Sequence, residues 1–358
     1  RKTTTDGVEG TPEALPFCRS VVDNLDQHLL FPKEEFVRVM YGVVATDEVD
    51  AHGDAFDVAA LDDFARQAET SPVWSLAQHD PRIQPIGRFI AVRRFTSPVS
   101  GVSFLAGVSG AYDPEKLPTF EEAGLRESAE DPSVHVEEPS EELGDFVVAV
   151  NPTEIDAAII EESLRDAPPS IRKSEEHHFR KALDPLTIIG IALPAYLVLR
   201  TPFLKKYGER LGEKAADKTI EALAWIKERL VATIAARYAR NVIYELVFTR
   251  HGCRVQLVVD SNDPVVVAEA VDNCEDGAER ARRLLDNSPF LELQKLVYLW
   301  DLKAKRWLPL HAASRRFGVI TNRPQMIAWE AFSGFSLGGS GTTKASPQLE
   351  SSVEKKDS

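Results

Sequence analysis

The side chains best placed to do chemistry fall within residues 41–88. His52 and Asp54 sit in DEVDAHGDAFD, and His79 and Asp80 open HDPRIQPIGR. A histidine beside a carboxylate is the minimal general base: imidazole titrates near neutrality, and the acid sets its tautomer and stabilises the imidazolium. A nucleophile must then lie within hydrogen-bond reach. Ser103, Ser109 and Ser133 follow His79 in the chain, and Ser336 lies far downstream in GFSLGG. The plainer alternative makes His79-Asp80-Pro81 a turn, with Asp80 bonded to its own backbone. His52, Asp54, His79 and Asp80 are also metal-ligand types, but no HExxH-like spacing joins them, so no metal site is expected. Neither a P-loop, nor a GxGxxG after a strand, nor a kinase signature is present, and no nucleotide or other cofactor is expected.

Val49-Asp50 with Gly53-Asp54, then His79-Asp80 with Pro85-Ile86-Gly87-Arg88, resembles the tailed-phage prohead maturation proteases over about residues 36–110. The resemblance implies a herpesvirus-assemblin-like β-barrel and a serine endopeptidase that trims scaffold and capsid proteins. It makes His79 the general base and leaves either Asp80 or Asp54 to orient it. The family's nucleophile stands in a Ser-Ile-Gly-Phe-like strand several tens of residues after the histidine, and nothing between 103 and 150 reads that way. Gly334-Phe335-Ser336-Leu337-Gly338-Gly339 resembles the GFSIGG ending of a related phage protease group, 257 residues after His79. The glycines around Ser336 disfavour the rigid setting a nucleophile needs. The missing serine strand favours a degenerate protease-like domain that acts as a protein interaction module. An active, self-processing serine endopeptidase is the alternative, and a metal-dependent hydrolase is weaker still.

The expected fold class is α+β: an N-terminal β-rich protease-like domain, a central amphipathic helix and a C-terminal ββαβββ module. Residues 1–35 read as a lead-in. The β domain spans 36–165. It has strands at 36–45, 73–77, 86–95, 102–108 and 146–150, a helix after the cap Asp57, and a second helix over 153–164 with Thr153 as its cap. Its acidic stretch 113–143 contains four prolines, shows little periodicity and reads as a long loop. Residues 166–240 read as a linker and helical region. Within it, 186–199 is a run of 14 uncharged residues. As a helix it would rise about 21 Å, against a bilayer core of about 30 Å. It is therefore expected as a buried helical hairpin or a surface-lying segment, with peripheral membrane contact through 186–204. Residues 203–239 carry apolar residues at three- to four-residue spacing and read as the clearest helix. The module over 241–337 begins with a hairpin turning at His251-Gly252, followed by helical material from the cap region Ser261 to Asp263. Residues 338–358 read as a disordered tail.

These elements belong to a chain of 358 residues with 43% hydrophobic and 27% charged residues, ordinary values for a globular protein and enough for two or three cores. The net charge of −14 is uneven: residues 111–170 hold 17 Asp+Glu against 3 Lys+Arg, and residues 171–254 hold 16 Lys+Arg against 9 Asp+Glu. Overall acidity argues against nucleic acid as partner, so a protein partner or substrate is expected. Three cysteines with no CxxC pair fit a reducing, cytoplasmic setting. The chain opens on Arg1, as a fragment or processed end would, and no basic-then-apolar leader follows.

Overall fold

The computed structural model describes residues 11–32, 34–49, 56–76, 80–125, 146–150, 157–175, 187–193, 220–237 and 242–322. The fold is α+β, built on two sheets.

The first sheet has four antiparallel strands in the order β1-β4-β3-β2: β1 (Phe36–Thr46), β2 (Val73–Ser75), β3 (Gly87–Thr96) and β4 (Ser103–Tyr112). Alternation makes both of its faces apolar, and a helix covers each. α1 (Ala14–Asp23) lays Ala14, Cys18 and Val21 on Ile90, Phe104 and Val108. Residues 14–23 thus belong to the core of this unit and are not a loose lead-in, because ALPFCRSVV is itself amphipathic. α2 (Val58–Thr70) covers the other face, with Leu61 against Val92 and Leu105. Asp57 caps α2 as its position predicts, its carboxylate accepting the Ala60 N–H at 2.6 Å.

The second sheet has eight strands in the order β12-β11-β10-β9-β8-β7-β5-β6. They are β5 (Phe146–Val150), β6 (Ile171–Glu175), β7 (Thr187–Ala192), β8 (Val242–Arg250), β9 (Cys253–Asp260), β10 (Leu293–Asp301), β11 (Arg306–Ser314) and β12 (Gly318–Thr321). Three parallel pairs, β5/β6, β7/β8 and β9/β10, lie side by side. A parallel pair needs a long crossover, and helices occur in all three. These are α3 (Ala157–Leu164), α4 (residues 220–237, with a wide π turn at Ile226–Val231), and α5 (Pro264–Asp272) with α6 (Cys274–Asn287). Ile160 of α3, Ile226 of α4, Val267 of α5 and Leu284 of α6 share one large core with one face of this sheet. The His251-Gly252 turn has positive φ at both residues, the two-residue hairpin geometry that glycine accommodates. Asp263 caps α5 through the Val265 N–H.

Three further expectations are corrected. Residues 146–150 pair with β7 and β6 in the large sheet and do not extend the N-terminal one. FVVAV is apolar throughout, which suits a strand flanked on both sides in a sheet buried on both faces. Residues 171–175, read as linker, are the edge strand β6. Residues 187–192 are strand β7, neither a helix nor a surface segment, with Ile188, Ile189 and Ile191 all buried. An uncharged run has no periodicity to separate helix from buried strand, and the β-branched TIIGI favours the strand. The C-terminal module is therefore larger than 241–337, since its sheet takes in β5, β6 and β7. Among the described residues no helix is long and apolar enough to cross a membrane. Thr153, residues 194–219 of the apolar and amphipathic stretches, and the tail lie outside the described residues.

Candidate functional site

The described part of the HDPRIQPIGR segment, residues 80–88, leads into β3 and sits where the two sheets meet. Asp80 is 3% exposed. Its Oδ1 accepts the Arg82 N–H at 2.9 Å, closing a local turn. Its carboxylate also takes the Arg82 guanidinium as a fork, from Nε at 2.9 Å and Nη2 at 2.6 Å. The remaining Arg82 nitrogen, Nη1, donates to Asp260 at the end of β9. Burial works against the Arg82 charge, but Asp80 and then Asp260 outweigh it and hold the guanidinium above its ordinary range. The carboxylate expected to orient an imidazole is thus held by an arginine that joins the first unit to the second sheet.

The second arginine of the segment is equally committed. Arg88 and Glu34 are each 1% exposed at the side chain and form a fork, Nε to Oε1 at 2.7 Å and Nη2 to Oε2 at 2.8 Å. Nη2 also donates to the His28 carbonyl, and Nη1 to the Phe89 carbonyl. Glu34 further accepts the Tyr112 hydroxyl and the Leu30 N–H. Burial pushes the Glu34 pKa up, yet these donors, Arg88 first, hold it below the ordinary carboxylate value. Gly87 is required by close approach: a Cβ there would stand 2.0 Å from the Gly110 carbonyl oxygen. Pro-Ile-Gly-Arg is therefore a packing motif at this position.

Beneath the 80–82 turn, the face of the large sheet opposite its helices carries a polar row. The strand registers place Lys295 beside Arg254, and His311 beside Val297, which lies beside Gln256. His311 is 1% exposed, and its Nε2 lies 3.0 Å from the Pro81 carbonyl, to which it donates as the neutral ring. Gln256 donates to Glu245 at 2.8 Å. Two buried acceptors in this row, His311 Nδ1 and Gln256 Oε1, have no hydrogen-bond partner among the described residues. Burial lowers the Lys295 pKa; Glu245 opposes this and Arg254 reinforces it.

Burial, with Lys295 nearby, lowers the His311 pKa from 6.5 to about 3. The unfolded chain therefore binds a proton that the folded chain refuses. Stability from this group is complete above pH 6.5 and falls as pH drops toward 3. The full window is worth about 5 kcal/mol. His311→Gln keeps a donor for the Pro81 carbonyl and removes the titration. Urea denaturation between pH 6.5 and 4.5 is expected to show a flatter decline for this variant, by about 1 kcal/mol per pH unit. Parallel declines in the two proteins would show that His311 does not titrate in this way.

Asp54, His79 and Ser336 lie outside the described residues, as do His52 and Ser133. Of the other serines considered, the Ser103 hydroxyl meets Thr96 at 3.4 Å, and Ser109 pairs with Met40 and Phe89 inside the sheet. Among the described residues no three His, Cys, Asp or Glu side chains gather as metal ligands. Glu34, Tyr112, Asp260 and His311 went unnoticed in the sequence. For His311 a signal existed, a polar residue within the apolar strand RWLPLHAAS. For Glu34 and Asp260 none did, since their partners are 54 and 178 residues away. Comparison of the chain with protein-family models, curated proteins and solved structures gives no match.

Proposed function

We propose that the chain is a protein interaction module whose N-terminal β unit resembles the prohead proteases without acting as one. The observation that carries this reading is the Asp80–Arg82–Asp260 bridge: the acid of the histidine-acid pair is buried and serves the junction between the sheets. The edge of β1 that no described strand pairs supplies a surface for a partner. β1 pairs with β4 on one side and ends the sheet order on the other. Its eleven residues include one charge, Arg38, and no proline, and Val37 is 62% exposed. The Asp47 N–H bonds to the Ser103 carbonyl, and with the strand register this turns the backbone groups of Val39, Tyr41 and Val43 outward. Such an edge suits an extended segment of another protein. The cysteines Cys18, Cys253 and Cys274 are buried free thiols whose pKa burial pushes up to about 11, 12 and 12, in keeping with a structural role in a cytoplasmic protein.

One preparation tests both halves of the reading. The intact mass of the full chain should stay single on incubation, and a fluorophosphonate should leave no adduct that His79→Ala abolishes. Amide exchange should be roughly ten-fold faster at Val39, Tyr41 and Val43 than at Met40 and Gly42. A discrete cleavage product lost in both His79→Ala and Ser336→Ala would establish the rival reading, a serine endopeptidase. Uniform protection along β1 would remove the proposed surface.

A further inference from the structure

A cavity of about 530 Å³ opens where the β11–β12 turn meets the first unit, and its wall includes α1, the 27–31 segment, the end of α2 and β3. Phe17, Leu30, Phe31 and Val92 make much of it apolar. Arg93 of β3 and Arg315 of the turn contribute the cations.

Their chain neighbours give the contrast that identifies the site. Arg94 is paired with Asp62, and Arg316 with Glu292. Arg93 and Arg315 have no carboxylate within 4.0 Å among the described residues. The Arg93 guanidinium instead lies 4.6 Å from the centre of the Phe17 ring, which fixes it over the apolar wall. Glu69 is the one carboxylate in the lining, so the lining keeps an excess positive charge before His28 is counted. An apolar pocket of a few hundred Å³ with a few converging polar groups at a junction between units is the usual form of a small-molecule site.

We propose that this cavity binds a small monoanion with an apolar body, a carboxylate or sulfonate on an aromatic or branched aliphatic frame. The guanidinia of Arg93 and Arg315 take the anionic group and the Phe17–Phe31 wall takes the body. Glu69 disfavours a second negative charge on the ligand. This site is separate from the Asp80–Arg82 junction and from the β1 edge, and it stands whether or not the interaction reading holds.

Two dyes of nearly the same body but different charge test it on the full chain. 1-Anilinonaphthalene-8-sulfonate should bind one site, and the uncharged N-phenyl-1-naphthylamine should bind roughly ten-fold more weakly. Arg93→Gln with Arg315→Gln should weaken the sulfonate roughly ten-fold or more and leave the neutral dye unchanged. Both arginines are exposed, so the thermal midpoint should be retained. Equal affinities for the two dyes, or a double variant that binds the sulfonate like the parent, would overturn the proposal.

Discussion

Replacing Arg88 by alanine is expected to cost about 3–5 kcal/mol of stability, because it leaves the Glu34 carboxylate buried without its cation. Glu34 would keep only the Tyr112 hydroxyl and the Leu30 N–H. The His28 and Phe89 carbonyls would lose their donor as well. The loss reaches beyond one ion pair, since Arg88 joins β3 to the segment ahead of β1 and its guanidinium also lies 5.5 Å from the Phe36 ring centre. The double variant Glu34→Leu with Arg88→Met should recover much of this stability, since two apolar groups leave no buried charge unpaired. Urea denaturation of the three proteins at neutral pH measures both effects. A single-variant loss below about 1 kcal/mol would mean that water or a rearranged side chain reaches Glu34. The parent pair should weaken in acid. Because the Glu34 pKa is held down in the folded chain, its contribution is present above the ordinary value of 4.5 and is lost as pH falls through the folded value.

Trp307→Ala should have an effect of similar size in the second sheet, about 3–5 kcal/mol. Trp307 is 0% exposed and its indole N–H donates to the Asn273 carbonyl at 2.8 Å, where α5 gives way to α6. The ring packs edge-on to Trp300 at 5.1 Å. It also lies so close to α6 that a Cβ on Gly277 would stand 2.7 Å from it. Truncation therefore opens a cavity and also removes the shorter of two donors to the Asn273 carbonyl, which keeps the Gly277 N–H at 3.3 Å. Circular dichroism during thermal unfolding should show a lowered midpoint with native secondary structure retained at low temperature. A midpoint within a degree or two of the parent would mean that α6 closes onto β11, and the Gly277 contact would then not be the constraint described above.

Much of the local structure was legible because its signals act within a few residues. Asp57 followed by apolar residues at helical spacing marked α2, His251-Gly252 marked the β8–β9 hairpin, and Asp263-Pro264 marked the start of α5. The α+β class followed from adding such elements. Tertiary structure alone decided which sheet received each strand. FVVAV and TIIGIA carry no alternation, and although their β-branched residues favour a strand over a helix, nothing in them says which sheet the strand joins. The motif residues show the same division. His79-Asp80 in sequence is a histidine beside an acid, and a general base is a fair expectation from that adjacency. Whether Asp80 is available depends on Arg82 and on Asp260, which reaches the turn only because β9 ends beneath it. Arg88 and Glu34, or His311 and the Pro81 carbonyl, likewise become partners through sheet register and packing. A buried charge must be paired, so the sequence could require that Arg88 have a partner, but only the folded chain could supply Glu34 as that partner.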